Sequence, residues 1–197
     1  MAYKLSMKEN QETKKYILSI KQKLDLPVVF IGLMGAGKSR IGRLLANELD
    51  LPFIDSDLEI ERAAGCTVPE IFERDGEASF RKAEQRIISS LLNGRVIVLA
   101  TGGGAVTNPE TAELIWNNSI SIWLRAEVDV LLKRISGCDK RPLLKQNDPE
   151  AVLRNLAERR NQIYEKASII VESKEVAQNI TLEEVIRKLY EHLYNQN

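Results

Sequence analysis

The sequence has little of what several classes of protein require. It holds two cysteines and one histidine in 197 residues. Because Cys66 and Cys138 lie far apart without neighbouring ligands, neither a zinc site nor a disulfide framework is indicated. The longest apolar runs, residues 28–31 and 96–100, are far shorter than the roughly 20 residues that span a bilayer. The N-terminus has no apolar stretch typical of a secretory signal, and we therefore expect a cytoplasmic protein that is not bound to a membrane.

The sequence also has no excess of charge of either sign. Lysine and arginine total 28, and aspartate and glutamate total 28, so the formal net charge is zero. This balance argues against a chain-wide basic surface, and we expect no nucleic-acid partner. Hydrophobic residues make up 44% and charged residues 28%, close to ordinary globular usage, so the chain can bury a core. Its length fits one domain, or at most two.

Short apolar runs alternate with longer segments of helical periodicity from Pro27 onward. This pattern predicts an α/β protein, a five-stranded parallel sheet with helices on both faces. The predicted strands are residues 28–31, 53–54, 96–100, 120–124 and 169–171. Capping patterns predict helix starts at Thr67 with Glu70, Asn108-Pro109, Asp148-Pro149 and Thr181 with Glu184.

Residues 1–26 precede the first strand and are predicted to form an appended amphipathic helix. Tyr16, Ile17, Ile20 and Leu24 fall on one helical face. An apolar stripe of this size more often docks on its own domain or on a neighbouring subunit than on a membrane. We divide the chain into this extension and a domain of residues 27–197, and we expect a monomer.

A second irregular segment, residues 137–147, is polar and lies between two predicted helices. It contains Lys140, Arg141 and Lys145. A loop of this length and charge is a candidate lid over a binding site.

The first strand leads into a glycine-rich motif, Gly32-Leu33-Met34-Gly35-Ala36-Gly37-Lys38-Ser39. The spacing G-x-x-x-x-G-K-S between a strand and a helix is that of a P-loop. Its glycines let successive backbone N–H groups converge on phosphate oxygens, and the following helix adds its positive end. Lys38 is expected to reach the β and γ phosphates, and Ser39 to bind Mg²⁺. The sequence therefore predicts binding of a nucleoside triphosphate.

An acidic pair, Asp55 and Asp57, follows the second predicted strand. At the carboxyl end of a parallel strand both side chains are expected to point into the ligand crevice. Transfer of a phosphoryl group to a hydroxyl uses one carboxylate to hold and deprotonate the acceptor, and another to support Mg²⁺ through water. The alternative is that Asp57 only caps a helix beginning at Leu58.

Two further motifs indicate a ligand site less specifically when each is taken alone. Three glycines at residues 102–104 follow the third strand and suggest close approach of the main chain to a ligand, although a tight turn also uses glycine. Arg81 lies near Phe80 and Glu84 on one face of a predicted helix. Taken alone, Arg81 is equally well explained as surface charge.

Taken together, these motifs resemble those of the shikimate kinase family, small kinases of the nucleoside-monophosphate-kinase-like P-loop group. The resemblance covers about residues 27–192. The motifs in the family's order are residues 32–39, Asp55-Ser56-Asp57, Asp75-Gly76-Glu77 with Phe80-Arg81, residues 99–104, and Arg141-Pro142-Leu143-Leu144. The resemblance implies a P-loop kinase fold with a lid loop. It also implies transfer of the ATP γ-phosphate to the 3-hydroxyl of shikimate, on the way to chorismate and the aromatic amino acids.

The resemblance assigns the shikimate carboxylate to Arg81 and Arg160. For the second arginine, aligning the family's Arg-Asn-Pro-Leu-Tyr motif on Asn161 and Tyr164 selects Arg160. Arg159 is the alternative, because the two residues between Asn161 and Tyr164 depart from the motif.

The resemblance further implies that Asp57 binds the shikimate hydroxyls and serves as the base, while Asp55 supports Mg²⁺ through water. The acceptor pocket would be lined or shaped by Gly102, Gly103, Gly104, Phe72, Phe80 and Glu84. ATP would be bound by Gly35, Ala36, Gly37, Lys38, Ser39, Arg40, Arg134 and Arg141. Arg141 would reach the phosphates from the lid, and Arg134 would lie near the adenine.

Two rival functions are compatible with parts of this pattern. Another small-molecule P-loop kinase, such as a gluconate kinase or a nucleoside-monophosphate kinase, would share the phosphate site. The acidic pair, residues 102–104 and Arg81 argue against it. A nucleotide-binding switch without catalysis would use residues 1–26 to contact a partner. The single histidine, His192, is expected to be structural, which leaves a carboxylate as the base.

Overall fold

Five strands form the predicted parallel sheet within the part of the chain that the structure describes. This structure is a computed structural model, which describes residues 2–135 and 148–195, with side chains from residue 11 onward. The strands are β1 (Val28–Ile31), β2 (Phe53–Asp55), β3 (Val98–Ala100), β4 (Ile120–Arg125) and β5 (Ile169–Glu172). Their order across the sheet is β2-β3-β1-β4-β5, and every neighbouring pair is parallel. The predicted α/β architecture with helices on both faces is confirmed.

Helices connect these strands, and capping patterns in the sequence predicted the starts of three of those that the structure describes. The described helices are α1 (Ala2–Lys23), α2 (Lys38–Leu49), α3 (Ser56–Ala64), α4 (Val68–Leu92), α5 (Pro109–Asn118), α6 (Val128–Ile135), α7 (Pro149–Tyr164) and α8 (Gln178–Tyr194). Thr67 caps α4 in a capping box with Glu70. Asn108 and Asp148 cap α5 and α7 with their side-chain oxygens. These three predicted starts are confirmed.

The predicted helix start at Thr181 is wrong. Helix α8 begins earlier, at Gln178, and Ala177 occupies the cap position. Thr181 is buried within the helix, and Glu184 forms an ion pair with Arg187 at 2.7 Å. A capping box needs its threonine at the open end of a helix, and the extra turn removes Thr181 from that end.

The central strand β1 places the functional loops at one edge of the sheet. All its residues are buried, and it lies between β3 and β4. Because the strands are parallel, their carboxyl ends lie side by side, which is where such sheets bind ligands. Gly32, Asp55 and Thr101 stand at the carboxyl ends of the three adjacent strands β1, β2 and β3.

Helix α1 docks on the domain that carries the sheet. Ile17 and Ile20 are buried in the main hydrophobic core. The ring of Tyr16 stacks on that of Tyr190 in α8, with 4.4 Å between the ring centroids. The sequence left open whether this helix docks on its own domain or on a neighbouring subunit. In the structure it docks on its own domain. No helix in the described ranges is long and apolar enough to cross a membrane.

Candidate active site

The phosphate-binding loop predicted after β1 has the backbone of an anion cradle. Gly32, Gly35 and Gly37 have φ angles of 131°, 82° and 98°, a region that other residues rarely enter. Lys38 is the first residue of α2 and is buried. Its Nζ donates hydrogen bonds to the carbonyl oxygens of Gly32 at 2.7 Å and Leu33 at 3.0 Å. The ammonium group is therefore held inside the loop, next to a helix N-terminus that favours anions.

Two side chains from outside this loop hold its carbonyl groups. Ser173, directly after β5, donates to the oxygen of Ala36 at 2.8 Å. The guanidinium of Arg134 donates to Ser173 Oγ at 2.9 Å and to the oxygen of Gly35 at 3.3 Å. Because a trans peptide points its C=O and N–H in opposite directions, fixing the Ala36 carbonyl also fixes the direction of the Gly37 N–H. Arg134, expected near the adenine, thus supports the phosphate loop in this structure.

One carboxylate, that of Asp55, joins the phosphate loop to the acceptor side. Its Oδ2 accepts a hydrogen bond from Ser39 Oγ at 2.6 Å, and its Oδ1 accepts one from the backbone N–H of Asp57 at 3.1 Å. Asp55 thereby caps α3, which begins at Ser56. The alternative in which Asp57 caps a helix beginning at Leu58 is wrong, because the cap position lies earlier in the chain.

The carboxylate of Asp57 lies next to Gly102. Its Oδ1 is buried and accepts no hydrogen bond from the described residues. Burial raises the pKa of Asp57, and the charge of Asp55 raises it further, while Lys38 and Arg81 act in the opposite direction. A carboxylate with a raised pKa is a stronger base than an ordinary one. A ligand hydroxyl would supply the hydrogen bond that Oδ1 lacks.

The glycine loop after β3 makes room for this carboxylate. A Cβ atom on Gly102 would lie 2.7 Å from Asp57 Oδ1 and 3.0 Å from Glu84 Oε1, another buried oxygen without a partner among the described residues. A Cβ on Gly104 would lie 2.9 Å from Cζ of Arg81. Any side chain at these two positions would therefore push into the charged groups of the site.

Arg81 is fixed by two acidic residues of its own helix. Its Nη1 donates to Glu84 at 2.6 Å, and its Nη2 donates to Glu77 at 3.2 Å. The Arg81 side chain is 17% exposed and that of Glu84 is 1% exposed. Arg81 is therefore part of the pocket wall rather than of the open surface. Burial raises the pKa of Glu84, and the neighbouring Arg81 works against that rise.

A small apolar cluster supports this wall. Phe80 is buried with Ile60 and Ile71, and its ring lies 4.7 Å from that of Phe72 between centroids. Gly76 interrupts the helical backbone of α4 with a φ of 78°. The cluster thus joins α3 to the two parts of α4 on either side of Gly76, and it holds the segment that carries Arg81.

A second helix, α7, contacts the glycine loop through Arg160. Its Nη1 donates to the carbonyl oxygen of Gly103 at 3.0 Å, whereas Arg159 is exposed. Tyr164, one turn further along α7, is buried and donates to the same oxygen at 2.5 Å. Burial raises the pKa of Tyr164 to about 12, so its hydroxyl stays a hydrogen-bond donor at neutral pH.

Two residues of the site were not expected from the sequence. Ser173 belongs to no recognisable motif, and nothing local in the chain connects it with the phosphate loop. Tyr164 served only to align a motif. Its spacing of four residues from Arg160 places both side chains on one helical face, and that signal could have indicated its contact.

The structure describes only one of two further ATP contacts that were predicted from the resemblance, Arg40 and Arg141. Arg141 and the predicted lid, residues 137–147, lie outside the described residues. Arg40 is exposed in the first turn of α2, directly after Ser39.

The described site therefore has two halves that Asp55 connects. The phosphate loop with Lys38 suits the phosphates of a nucleotide. The glycine loop with Arg81 and Arg160 offers two guanidinium groups, which match a carboxylate. An acceptor that carries an anion at one end and hydroxyls at the other would place a hydroxyl at Asp57.

Comparison with known proteins gives consistent matches over most of the chain. A family model described as shikimate kinase matches residues 34–194. The chain is 48% identical to a shikimate kinase from Rhodopseudomonas palustris over 169 residues, which cover 86% of this chain and 83% of that protein. It is 43% identical to one from Bartonella quintana over 185 residues, which cover 94% of this chain and 87% of that protein.

Solved structures show the same similarity. A shikimate kinase from Acinetobacter baumannii in complex with shikimate matches with a TM-score of 0.81 and 36% identity, covering 86% of this chain and 95% of that one. A shikimate kinase from Aquifex aeolicus matches with a TM-score of 0.69 and 33% identity, covering 83% of this chain and 96% of that one.

Proposed function

The chain belongs to the shikimate kinase family, and on this premise we propose which residues bind each substrate and which residue accepts the proton. The enzyme transfers the γ-phosphate of ATP to the 3-hydroxyl of shikimate, a step towards chorismate and the aromatic amino acids. One observation supports the assignment of residues: Oδ1 of Asp57, beside Gly102 and near Lys38, has no hydrogen-bond partner within residues 2–135 and 148–195.

The phosphate loop binds ATP in this proposal. Backbone N–H groups of residues 35–39 surround the phosphates, and Ser173 with Arg134 keeps the loop in shape through its carbonyl groups. The buried Nζ of Lys38 exchanges its contacts with the loop carbonyls for the β and γ phosphates. Arg40 and Arg141 are ATP contacts by the resemblance alone, and they stay predictions.

The pair of Ser39 and Asp55 fits a magnesium ion. Their oxygens lie 2.6 Å apart at the N-terminal end of α2, and Mg²⁺ prefers oxygen ligands and keeps several waters. We assign Ser39 as a direct ligand and Asp55 as a ligand through water. The ion neutralises the negative charge of the phosphates when bound.

The glycine loop and its two arginines bind shikimate in this proposal. The carboxylate is bound by Arg81 and Arg160, which come from two helices. Glu84 holds Arg81 in place, and the carbonyl of Gly103 holds Arg160. Gly102 and Gly104 bring the main chain close to the ligand because they lack a side chain. Two guanidinium groups on one carboxylate fix the orientation of the ring, and the ring then places its hydroxyls toward Asp57.

Asp57 serves as the base for the acceptor hydroxyl. Its Oδ1 accepts the hydrogen bond of the 3-hydroxyl and takes the proton as the hydroxyl oxygen bonds to the γ-phosphorus. The bond from that phosphorus to the β,γ-bridging oxygen breaks at the same time, and ADP leaves. Its raised pKa makes it a better acceptor for that proton than an ordinary aspartate. The positive charge of Lys38 acts against the rise that burial causes in the pKa of Asp57.

We further propose that the enzyme acts as a cytoplasmic monomer, with neither a membrane nor a nucleic acid as a partner. The apolar face of α1 is buried on its own domain, so it needs no second subunit to cover it. The charges of the chain balance at 28 of each sign. The need for ATP supports a cytoplasmic location. Residues 1–26 stand as an extension of the catalytic domain of residues 27–197.

A direct test measures ADP release with Mg-ATP and each of three acceptors, shikimate, gluconate and AMP. We expect turnover with shikimate and only the background rate with the other two. The Lys38→Ala variant, purified in the same way, serves as the control for a contaminating kinase. Faster turnover with gluconate or AMP than with shikimate would contradict the acceptor assignment.

A further inference from the structure

The peptide unit between Gly103 and Gly104 lies between the two arginines assigned to the shikimate carboxylate. Its carbonyl oxygen, on Gly103, accepts the hydrogen bond of Arg160 at 3.0 Å. At its other end, a Cβ on Gly104 would lie 2.9 Å from Cζ of Arg81. A peptide unit is rigid and separates its two α-carbons by about 3.8 Å. Glu84 and Glu77 fix Arg81, so the orientation of this peptide unit decides where the Arg160 guanidinium stands beside it.

Tyr164 holds this peptide unit from α7. Its hydroxyl donates to the oxygen of Gly103 at 2.5 Å. Its ring is buried and packs on Trp123 of β4, with 5.6 Å between the ring centroids. A carbonyl oxygen has two lone pairs, so Tyr164 and Arg160 can donate to it together. Arg160 has five N–H donors, and the bond to Gly103 leaves others for a ligand carboxylate.

The phosphate loop limits the peptide on its other side. A Cβ on Gly103 would lie 3.3 Å from the backbone N of Met34 and 3.5 Å from the oxygen of Gly32. The glycine is thus enclosed between the P-loop and α7. Without the tyrosine hydroxyl, Arg160 would be the one side-chain donor to this carbonyl from the described part of the chain, and a ligand carboxylate would compete for the same guanidinium.

We propose that Tyr164 is a positioning residue for the acceptor. Its hydroxyl orients the Gly103–Gly104 peptide and, through the Gly103 carbonyl, the Arg160 guanidinium that receives the shikimate carboxylate together with Arg81. This inference rests on the proposed function and adds a residue that touches neither substrate. Removal of the hydroxyl should therefore weaken binding of the shikimate carboxylate and leave binding of ATP intact.

The test compares Tyr164→Phe with the wild-type enzyme, since phenylalanine keeps the ring and removes only the hydroxyl. We expect the KM for shikimate to rise about fivefold to tenfold, as for the loss of one buried hydrogen bond. The kcat and the KM for ATP should change less than about twofold. With shikimate methyl ester, which lacks the carboxylate charge, the substitution should have little effect on kcat/KM, because arginine placement no longer decides binding.

Tyr190→Phe is the matched control, because Tyr190 lies in the ring stack between α1 and α8 and outside the site. It should leave both KM values unchanged. Circular dichroism melting establishes that each variant is folded. If Tyr164→Phe does not fold, Tyr164→Met removes the same hydroxyl with a more adaptable apolar side chain, and its expected effects are the same.

Two results would overturn the positioning role. One is an unchanged KM for shikimate in a folded variant, and the other is an equal loss with shikimate and with its methyl ester. Either result would leave Tyr164 with a packing role only. A wild-type enzyme that does not phosphorylate shikimate would instead refute the proposed function, so the two failures are distinguishable.

Discussion

The hydroxyl of Ser39 donates a 2.6 Å hydrogen bond to Oδ2 of Asp55. Ser39 lies in the first turn of α2, and Asp55 is the last residue of β2, so this bond joins the phosphate loop to the acceptor side. The other oxygen of Asp55 accepts a hydrogen bond from the backbone N–H of Asp57. Changes at Asp55 should therefore disturb both substrates, whereas changes at Asp57, Arg81 or Arg160 should act mainly on the acceptor.

Asp57→Asn should lower kcat by about 10²-fold or more, the usual contribution of a general base. ATP binding should be retained, because the phosphate loop is unchanged. Steady-state kinetics with ADP detection and equilibrium binding of ATP measure the two effects. Asp75→Asn, which removes an aspartate paired with Arg74 at 2.7 Å, is the control and should keep near-normal kcat. A near-normal kcat in Asp57→Asn would remove Asp57 from the role of base.

The same substitution should stabilise the ligand-free protein. The folded-state pKa of Asp57 is raised by burial and by Asp55. Its contribution to stability is therefore present below the pKa of an unfolded aspartate and is lost as pH rises through the folded pKa. Asp57→Asn avoids that loss. We therefore expect it to melt at a higher temperature than the wild-type protein at pH 7.

Melting curves from pH 7 down to pH 4 give the check on this stability effect. The gain in Tm should shrink as the pH falls, because the wild-type carboxyl becomes protonated in both states. A gain that is the same at every pH would show that packing, and not the titration of Asp57, is its cause.

Gly102→Ala should disable the acceptor site. The added Cβ would lie 2.7 Å from Asp57 Oδ1 and 3.0 Å from Glu84 Oε1, so the base has to move. We expect kcat/KM for shikimate to fall by about 10²-fold, since small displacements of a reacting group cost this much. The matched control is Gly94→Ala, whose Cβ would have its nearest neighbour at 3.6 Å. Equal kcat/KM values in the two variants would contradict the steric role of Gly102.

Arg160→Ala should weaken shikimate binding about 10- to 100-fold, the loss expected for a charge-assisted contact. Arg81→Ala should behave alike. ATP affinity of the free enzyme should stay nearly unchanged, and isothermal titration with each ligand measures both constants. Arg159→Ala provides the neighbouring control, because Arg159 is exposed. A larger effect from Arg159 than from Arg160 would mean that the motif is aligned one residue out of register.

A chain that begins at Asp25 should fold and phosphorylate shikimate with a kcat within about threefold of the full chain. Helix α1 contributes no residue to the described site, but Ile17 and Ile20 are buried in the main core. The loss of this contact should cost about 2 kcal/mol after ordering is subtracted, or roughly 4–8 °C in Tm. Activity assays and melting curves of the two chains provide the comparison.

Two point variants of the full chain test whether packing of α1 explains that loss. Ile20→Ala, at a fully buried position, should reproduce part of the drop in Tm, whereas Leu18→Ala, with a residue 63% exposed, should cause little change. Loss of activity in a folded, shortened chain would instead mean that α1 supports the site.

The sequence alone determined the features that depend on neighbours in the chain. The P-loop was readable because Gly32 to Ser39 must follow one another at fixed spacing between a strand and a helix. The alternation of apolar runs with helical segments determined the parallel sheet. Residues 102–104 and Arg81 could be found as motifs because each lies in a short continuous segment.

Only the tertiary structure decided which groups hold the site in shape. The bond from Ser173 to Ala36 joins residues 137 positions apart, and the bond from Tyr164 to Gly103 joins residues 61 positions apart. Periodicity describes one helix or strand at a time, so it does not show which carbonyl a distant hydroxyl will reach. The tertiary structure also decided that Asp55, and not Asp57, caps α3. Asp55 caps the helix with one oxygen and accepts a hydrogen bond from Ser39 of another element with the other, and Oδ1 of Asp57 is left without a hydrogen-bond partner among the described residues.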